Sequence, residues 1–167
     1  LLLWVHVAFM ESFLVAHEMY TSTPIPAGDC ETGADNYVSQ WRRAVEPLGL
    51  QSVPSTRAEV DAFISEQLRQ GILATSDDTR RIVRFIENPP LPRLARPVYR
   101  LFFAAAVASL RPEFREMLGV KAAPRQLAIP LTRATLKLIR WAIGPESPIE
   151  DAALARLQRI GAIPTQP

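Results

Sequence analysis

Fifteen prolines punctuate this chain, and between them apolar residues recur at helical spacing. A proline inside a helix loses a backbone hydrogen bond and its ring clashes with the preceding turn, so most of these prolines mark boundaries. No segment alternates apolar and polar residues with the β-branched content and tight turns of strands. The pattern predicts an all-α fold, a single-domain bundle of about seven to eight helices. At 167 residues the chain is long enough to bury a core.

The first helix is expected over about Leu1–Tyr20, ending before Pro24 and Pro26. Thr32 with Asp35 opens a second helix that reaches about Leu48, where Gly49 closes it. Thr56 and Glu59 form a capping box ahead of Val60, Phe63, Ile64 and Leu68, one apolar stripe ended by Gly71. Asp77 and Asp78 suit the positive start of a fourth helix, and Asn88 with two prolines stops it. "PVYRLFFAAAVASL" is apolar nearly all round and is expected in the middle of the domain. "RPEFREMLG" reads as a short amphipathic helix. A long helix follows in which Pro130 marks a kink or the true first turn. The last helix starts with Ser147 as cap, then Pro148, with Glu150 three positions after the cap.

Several function classes drop out. A net charge of +2 gives no footprint for nucleic acid. The sequence lacks a glycine-rich phosphate loop, zinc-type Cys and His spacings, and a nucleophile elbow. The lone Cys30 cannot form an intramolecular disulfide, which favours a reducing, cytoplasmic setting with membrane association at most. No transmembrane span is expected. His6, Glu11, His17 and Glu18 interrupt the opening run, and the apolar stretch 101–110 is too short and lies between Arg100 and Arg111. The abrupt start inside a helical pattern reads as a cut, with the chain as the C-terminal portion of something longer.

The only two histidines, His6 and His17, lie in the first helix. At about 100° per residue, His6, Phe9, Met10, Phe13, His17 and Tyr20 share roughly one face. The two imidazoles stand about 16 Å apart along the axis, too far to share one metal ion. A single imidazole beside a large apolar slot suits a haem iron, and Phe9, Met10 and Phe13 would form part of that slot. A hydrogen-bonded core histidine is the plainer reading of the same pattern. Glu11 and Glu18 read as a solvated face rather than pocket acids. Arg80, Arg81 and Arg84 read as surface residues rather than partners of haem propionates. Arg133, Lys137 and Arg140 read as a solvated half-helix rather than a lipid head-group contact. Trp41 and Trp141 read as buried or half-buried packing residues.

"LLLWVHVAFMESFLVAHEMY" resembles the W-V-H helix of a bacterial and fungal oxygenase family. That family includes the membrane-bound farnesyl-cleaving oxygenase of mycophenolic acid biosynthesis and the latex-clearing rubber oxygenases. "LGLQSVPSTRAEVDAFI", "RFIENPPLPRLARPVYRLFFAAAVASLRPEFREMLGV", "IPLTRATLKLIRWAIGPESP" and "ALARL" continue the resemblance in order over nearly the whole chain. It implies an all-α catalytic domain with haem b (iron) held by one proximal histidine, and the matching position is His6. It also implies a reaction of dioxygen with a hydrophobic, isoprenoid-like small molecule. In the family a further helical segment, carrying the distal polar residues, precedes the W-V-H helix, and nothing in 1–167 matches it. The alternatives are an inactive truncated member, a non-catalytic helical domain that binds a partner through the apolar face of the first helix, or a lipid-binding helical protein.

Overall fold

The first helix, α1 (Leu2–Tyr20), packs against two other helices of the chain's first compact unit. The computed structural model describes residues 1–144 and 148–161. Among them are seven further helices: α2 (Gly33–Val45), α3 (Arg57–Arg69), α4 (Asp77–Glu87), α5 (Arg96–Ser109), α6 (Pro112–Leu118), α7 (Arg125–Ile143) and α8 (Pro148–Arg159). No strand occurs among the described residues, so the all-α expectation holds. The chain divides into two compact units, Leu1–Ile129 and Pro130–Pro167.

In the first unit α1 packs against α2 and α5, α2 against α3, and α4 against α6. The core joins Val7, Met10 and Leu14 of α1 to Val38 of α2 and to Val60 and Ile64 of α3. Each side chain leaves water almost completely, which contributes roughly 1.5–3 kcal/mol per large aliphatic residue. Trp4 extends this core outward, stacking on Phe63 at 6.4 Å and meeting Phe114 edge-on at 6.3 Å. Tyr20 donates its hydroxyl proton to the carbonyl of Ala105 at 2.7 Å, which fastens the end of α1 to α5.

Local signals set the helix starts. Thr32 accepts the Asp35 amide at the start of α2. Asp35 then reaches on to accept the Arg57 amide at 2.8 Å, so a residue of α2 serves the first turn of α3. Thr56 accepts the Glu59 amide, as the capping box requires. The reciprocal bond differs from the box: Glu59 accepts from the backbone and hydroxyl of Ser55, one residue earlier. α2 ends in a 3-10 turn, Glu46–Leu48, with Gly49 left-handed at φ 66° as the pattern predicts. Gly33 is required for another reason. A Cβ there would lie 2.0 Å from the carbonyl oxygen of Ile25, so the 21–32 loop can close on α2 only over a glycine.

Two expectations change, those for α5 and for Trp141. α5 is not central along its length: Ala105, Val107 and Ala108 are buried, while Arg96, Pro97, Val98 and Arg100 are exposed. Its overall apolarity hid the fact that only the C-terminal half meets α1. α4 is strongly amphipathic, yet Ile82, Phe85 and Ile86 stay exposed. Trp141 is not a packing residue; it is 80% exposed.

In the second unit, Pro130 lies inside α7 and α8 begins at Pro148. Pro130 is thus not the first turn. It has no amide proton for the Gln126 carbonyl one turn back, and the boundary between the units falls at this residue. Ser147, expected to cap α8, lies outside the described residues.

Candidate functional site

His6 is buried, with 6% of its surface exposed. Its Nε2 atom is shut away from water and has no hydrogen-bond partner. Burial pushes its pKa below the usual histidine value, so the ring is neutral at physiological pH. Trp41 of α2 lies beside it, ring centres 5.8 Å apart and tilted by 50°. A buried acceptor or donor without a partner costs about 1–3 kcal/mol, so this imidazole is not the satisfied core histidine that the plainer reading expects.

The face next to His6 is apolar and uncovered. Leu2, Val5, Phe9 and Phe13 are all exposed, Phe9 by 56% and Phe13 by 53%. At about 100° per residue the four fall within roughly 80° of arc, and His6 lies about 20° beyond Phe13. Phe9 stacks on Phe13 at 6.2 Å, and Phe13 reaches Trp41 at 5.9 Å. The rings therefore form a continuous aromatic strip from the exposed side of α1 to the edge of His6. This corrects the expected slot. Met10 is locked in the core rather than beside an open pocket, and Phe9 and Phe13 make a surface rather than walls.

His17 has another job. Its Nε2 bonds the Thr23 carbonyl at 2.8 Å and helps tie the loop after α1. An open recess of about 850 Å³ lies near His17, with Glu18, Asp35, Arg57 and Asp61 in its lining. Its lining mixes these charged groups with apolar residues such as Pro24, Ile25 and Ala34, and it does not include His6. Arg80 and Arg81 pair with Asp77 and Asp78 of their own helix and stay exposed, as expected of surface residues.

Glu11 departs from its expected place on a solvated face. It is buried and held by Arg111, whose Nε lies 2.5 Å from Glu11 Oε1. The same guanidinium bonds Asp61 of α3. Burial pulls the Arg111 pKa down, and the bonds to Asp61 and Glu11 more than offset it, so the net shift is upward. Sequence reading missed this clamp because its partners are fifty and one hundred residues away. It missed Trp41 as the neighbour of His6 for the same reason.

The residues present fit haem in one respect. A neutral imidazole with a buried, unbonded Nε2 is the donor a single axial position needs. The three best-formed recesses do not supply the slot, since none of the three is lined by His6. The apolar surface available to a flat ring is the open strip of Val5, Phe9 and Phe13. Among the described residues no cluster of three or more His, Cys, Asp or Glu side chains could hold a bare metal ion. By length and composition α1 could also cross a membrane, although its Val7, Met10 and Leu14 side forms the core.

The fold and site thus define an all-helical protein with one unsatisfied imidazole at the border of an uncovered aromatic strip. Residues 1–141 match the family described as "ER-bound oxygenase mpaB/B'/Rubber oxygenase, catalytic domain", and the chain belongs to that family. No curated protein and no solved structure matches it.

Proposed function

We propose that the chain is the C-terminal portion of an oxygenase catalytic domain that binds haem b through His6 and acts on a hydrophobic, isoprenoid-like substrate. The observation that carries this reading is the buried, unpartnered Nε2 of His6 at the edge of the aromatic strip. Haem bound there would supply the activation of dioxygen for attack on an alkene. The protein's own part is positional. α1 fixes the imidazole by anchoring Val7, Met10 and Leu14 in the core. Trp41 holds the ring from the side. Burial keeps the ring neutral, which leaves a lone pair free for iron. Val5, Phe9 and Phe13 offer an apolar bed that excludes water from one face of a flat ligand. An upstream helical segment laid over the strip would close the other side.

The test is spectroscopic. Haem is supplied during expression, and visible spectra are recorded for the longest parent protein, its His6→Ala variant and its His17→Ala variant. The expected result is a Soret band that survives loss of His17 and disappears with loss of His6. A parent without haem, or a Soret band unchanged in His6→Ala, overturns the assignment. A second reading, that the strip is a protein-binding face without cofactor, predicts no Soret band in any of the three.

A further inference from the structure

A half-enclosed crevice of about 420 Å³ lies on a different side of α1 from His6, walled by α1, the loop before α4, and α6. At about 100° per residue, Ala8 stands roughly 160° round the helix from His6. A ligand here therefore cannot reach the His6 ring through the helix. Val15, Leu110, Phe114 and Leu118 make most of the wall apolar, and Ala8 forms its floor.

Arg111, Ser12 and Ser109, three polar residues of the crevice, are already committed. Arg111 is held by Glu11 and Asp61, and Asp61 also faces Arg57 at 3.5 Å. The guanidinium is balanced by carboxylates and offers no spare positive charge to an anion. Ser12 donates its proton to the Ala8 carbonyl at 2.6 Å. Ser109 donates to the Ala106 carbonyl at 2.7 Å. Each hydroxyl keeps lone pairs but has no proton left to give. The two serine oxygens thus accept hydrogen bonds, the Arg111 charge is already balanced by carboxylates, and most of the wall is apolar. By comparison with the ≈30 Å³ that a water molecule occupies in the liquid, its volume suits a chain of about a dozen carbons.

We infer that this crevice is a second ligand site, separate from the His6 face, that binds a neutral hydrocarbon chain ending in a hydroxyl. The hydroxyl donates to Ser12 or Ser109, and the chain lies against Leu110 and Phe114. The inference does not rest on the haem reading.

The probes are 1-dodecanol, dodecanoate and 12-bromo-1-dodecanol. Binding is followed by calorimetry and by quenching of Trp4, which borders the crevice. Dodecanol is expected to saturate and to bind at least about tenfold more tightly than dodecanoate, a difference of about 1.4 kcal/mol. The bromo-alcohol should quench the intact protein, and Trp4→Phe should lose most of that quenching. Ala8→Phe and Ala74→Phe fill the space from two different elements. Each should weaken dodecanol binding at least about tenfold while keeping the helical circular dichroism. His6→Ala should leave binding unchanged. The inference is overturned if dodecanol does not saturate, if dodecanoate binds as tightly, or if a folded filling variant binds as well as the original. It is also overturned if His6→Ala abolishes binding, because the chain would then lie on the aromatic strip.

Discussion

Replacing Arg111 by Met removes the one group that neutralises Glu11 in a nearly closed environment. Arg111 runs from the α5–α6 junction to Glu11 of α1 and Asp61 of α3, so it ties three parts of the first unit together. Breaking a fully buried pair by deleting one partner costs about 3–5 kcal/mol, mostly from the stranded charge. That figure needs reducing here. The Asp61 side chain is 45% exposed, and water screens it once the arginine is gone. Glu11, with 11% of its side chain exposed, carries the penalty, and the adjoining crevice can admit some water. The expected loss is about 2–3 kcal/mol, measured by urea denaturation followed by circular dichroism. The sharper measurement is the double variant Glu11→Leu with Arg111→Met. Replacing both partners by apolar groups leaves no buried charge, so the double variant should recover most of the loss. A cost below about 0.5 kcal/mol for Arg111→Met would class the clamp with ordinary surface pairs and refute this reasoning. So would a double variant no more stable than the single one.

Three further changes test the fold and the site. His6 has a lowered folded pKa, so the unfolded chain binds the proton more readily. Its contribution to stability is complete above the unfolded value of about 6.5 and is lost as pH falls from there through the folded value. His6→Leu should flatten that part of a melting-temperature curve between pH 7.5 and 5, and an unchanged slope would place the imidazole in water. Gly33→Ala sets a methyl 2.0 Å from the Ile25 carbonyl oxygen and should cost about 1–3 kcal/mol by chemical denaturation; a neutral result would mean that the loop moves away freely. Thr56→Ala removes the acceptor of the Glu59 amide and should cost about 1 kcal/mol, with Thr56→Ser restoring most of it.

Helix ends were legible because they are written locally. Thr32, Thr56, Gly49 and Gly71 each act on a backbone group within a few residues, so their identity nearly fixes their role. Cross-chain contacts have no such signature. Nothing near Arg111 indicates that Glu11 and Asp61 are its partners, and nothing near Trp41 indicates His6. Asp35 was legible as a member of the Thr32 cap, but its bond to the Arg57 amide depends on where α3 lands.

α1 shows why the site itself was only half legible. A helix with one apolar face announces which side is buried, whereas a helix apolar almost all round does not. α1 meets three different surroundings: the core on the Val7, Met10 and Leu14 side, the Arg111 crevice on the Ala8 and Glu11 side, and open solvent at Val5, Phe9 and Phe13. Periodicity grouped His6 with Phe9, Met10 and Phe13, because they lie within roughly 100° of arc. It could not show that the border between core and surface cuts through that group. The border is set by where Trp41 and Val38 of α2 pack, which is tertiary information. That same border gives His6 its character. One step further into the core it would sit among aliphatic side chains with no route to a ligand; one step outward, water would satisfy its Nε2. At the border it is buried, neutral and unbonded beside an apolar strip.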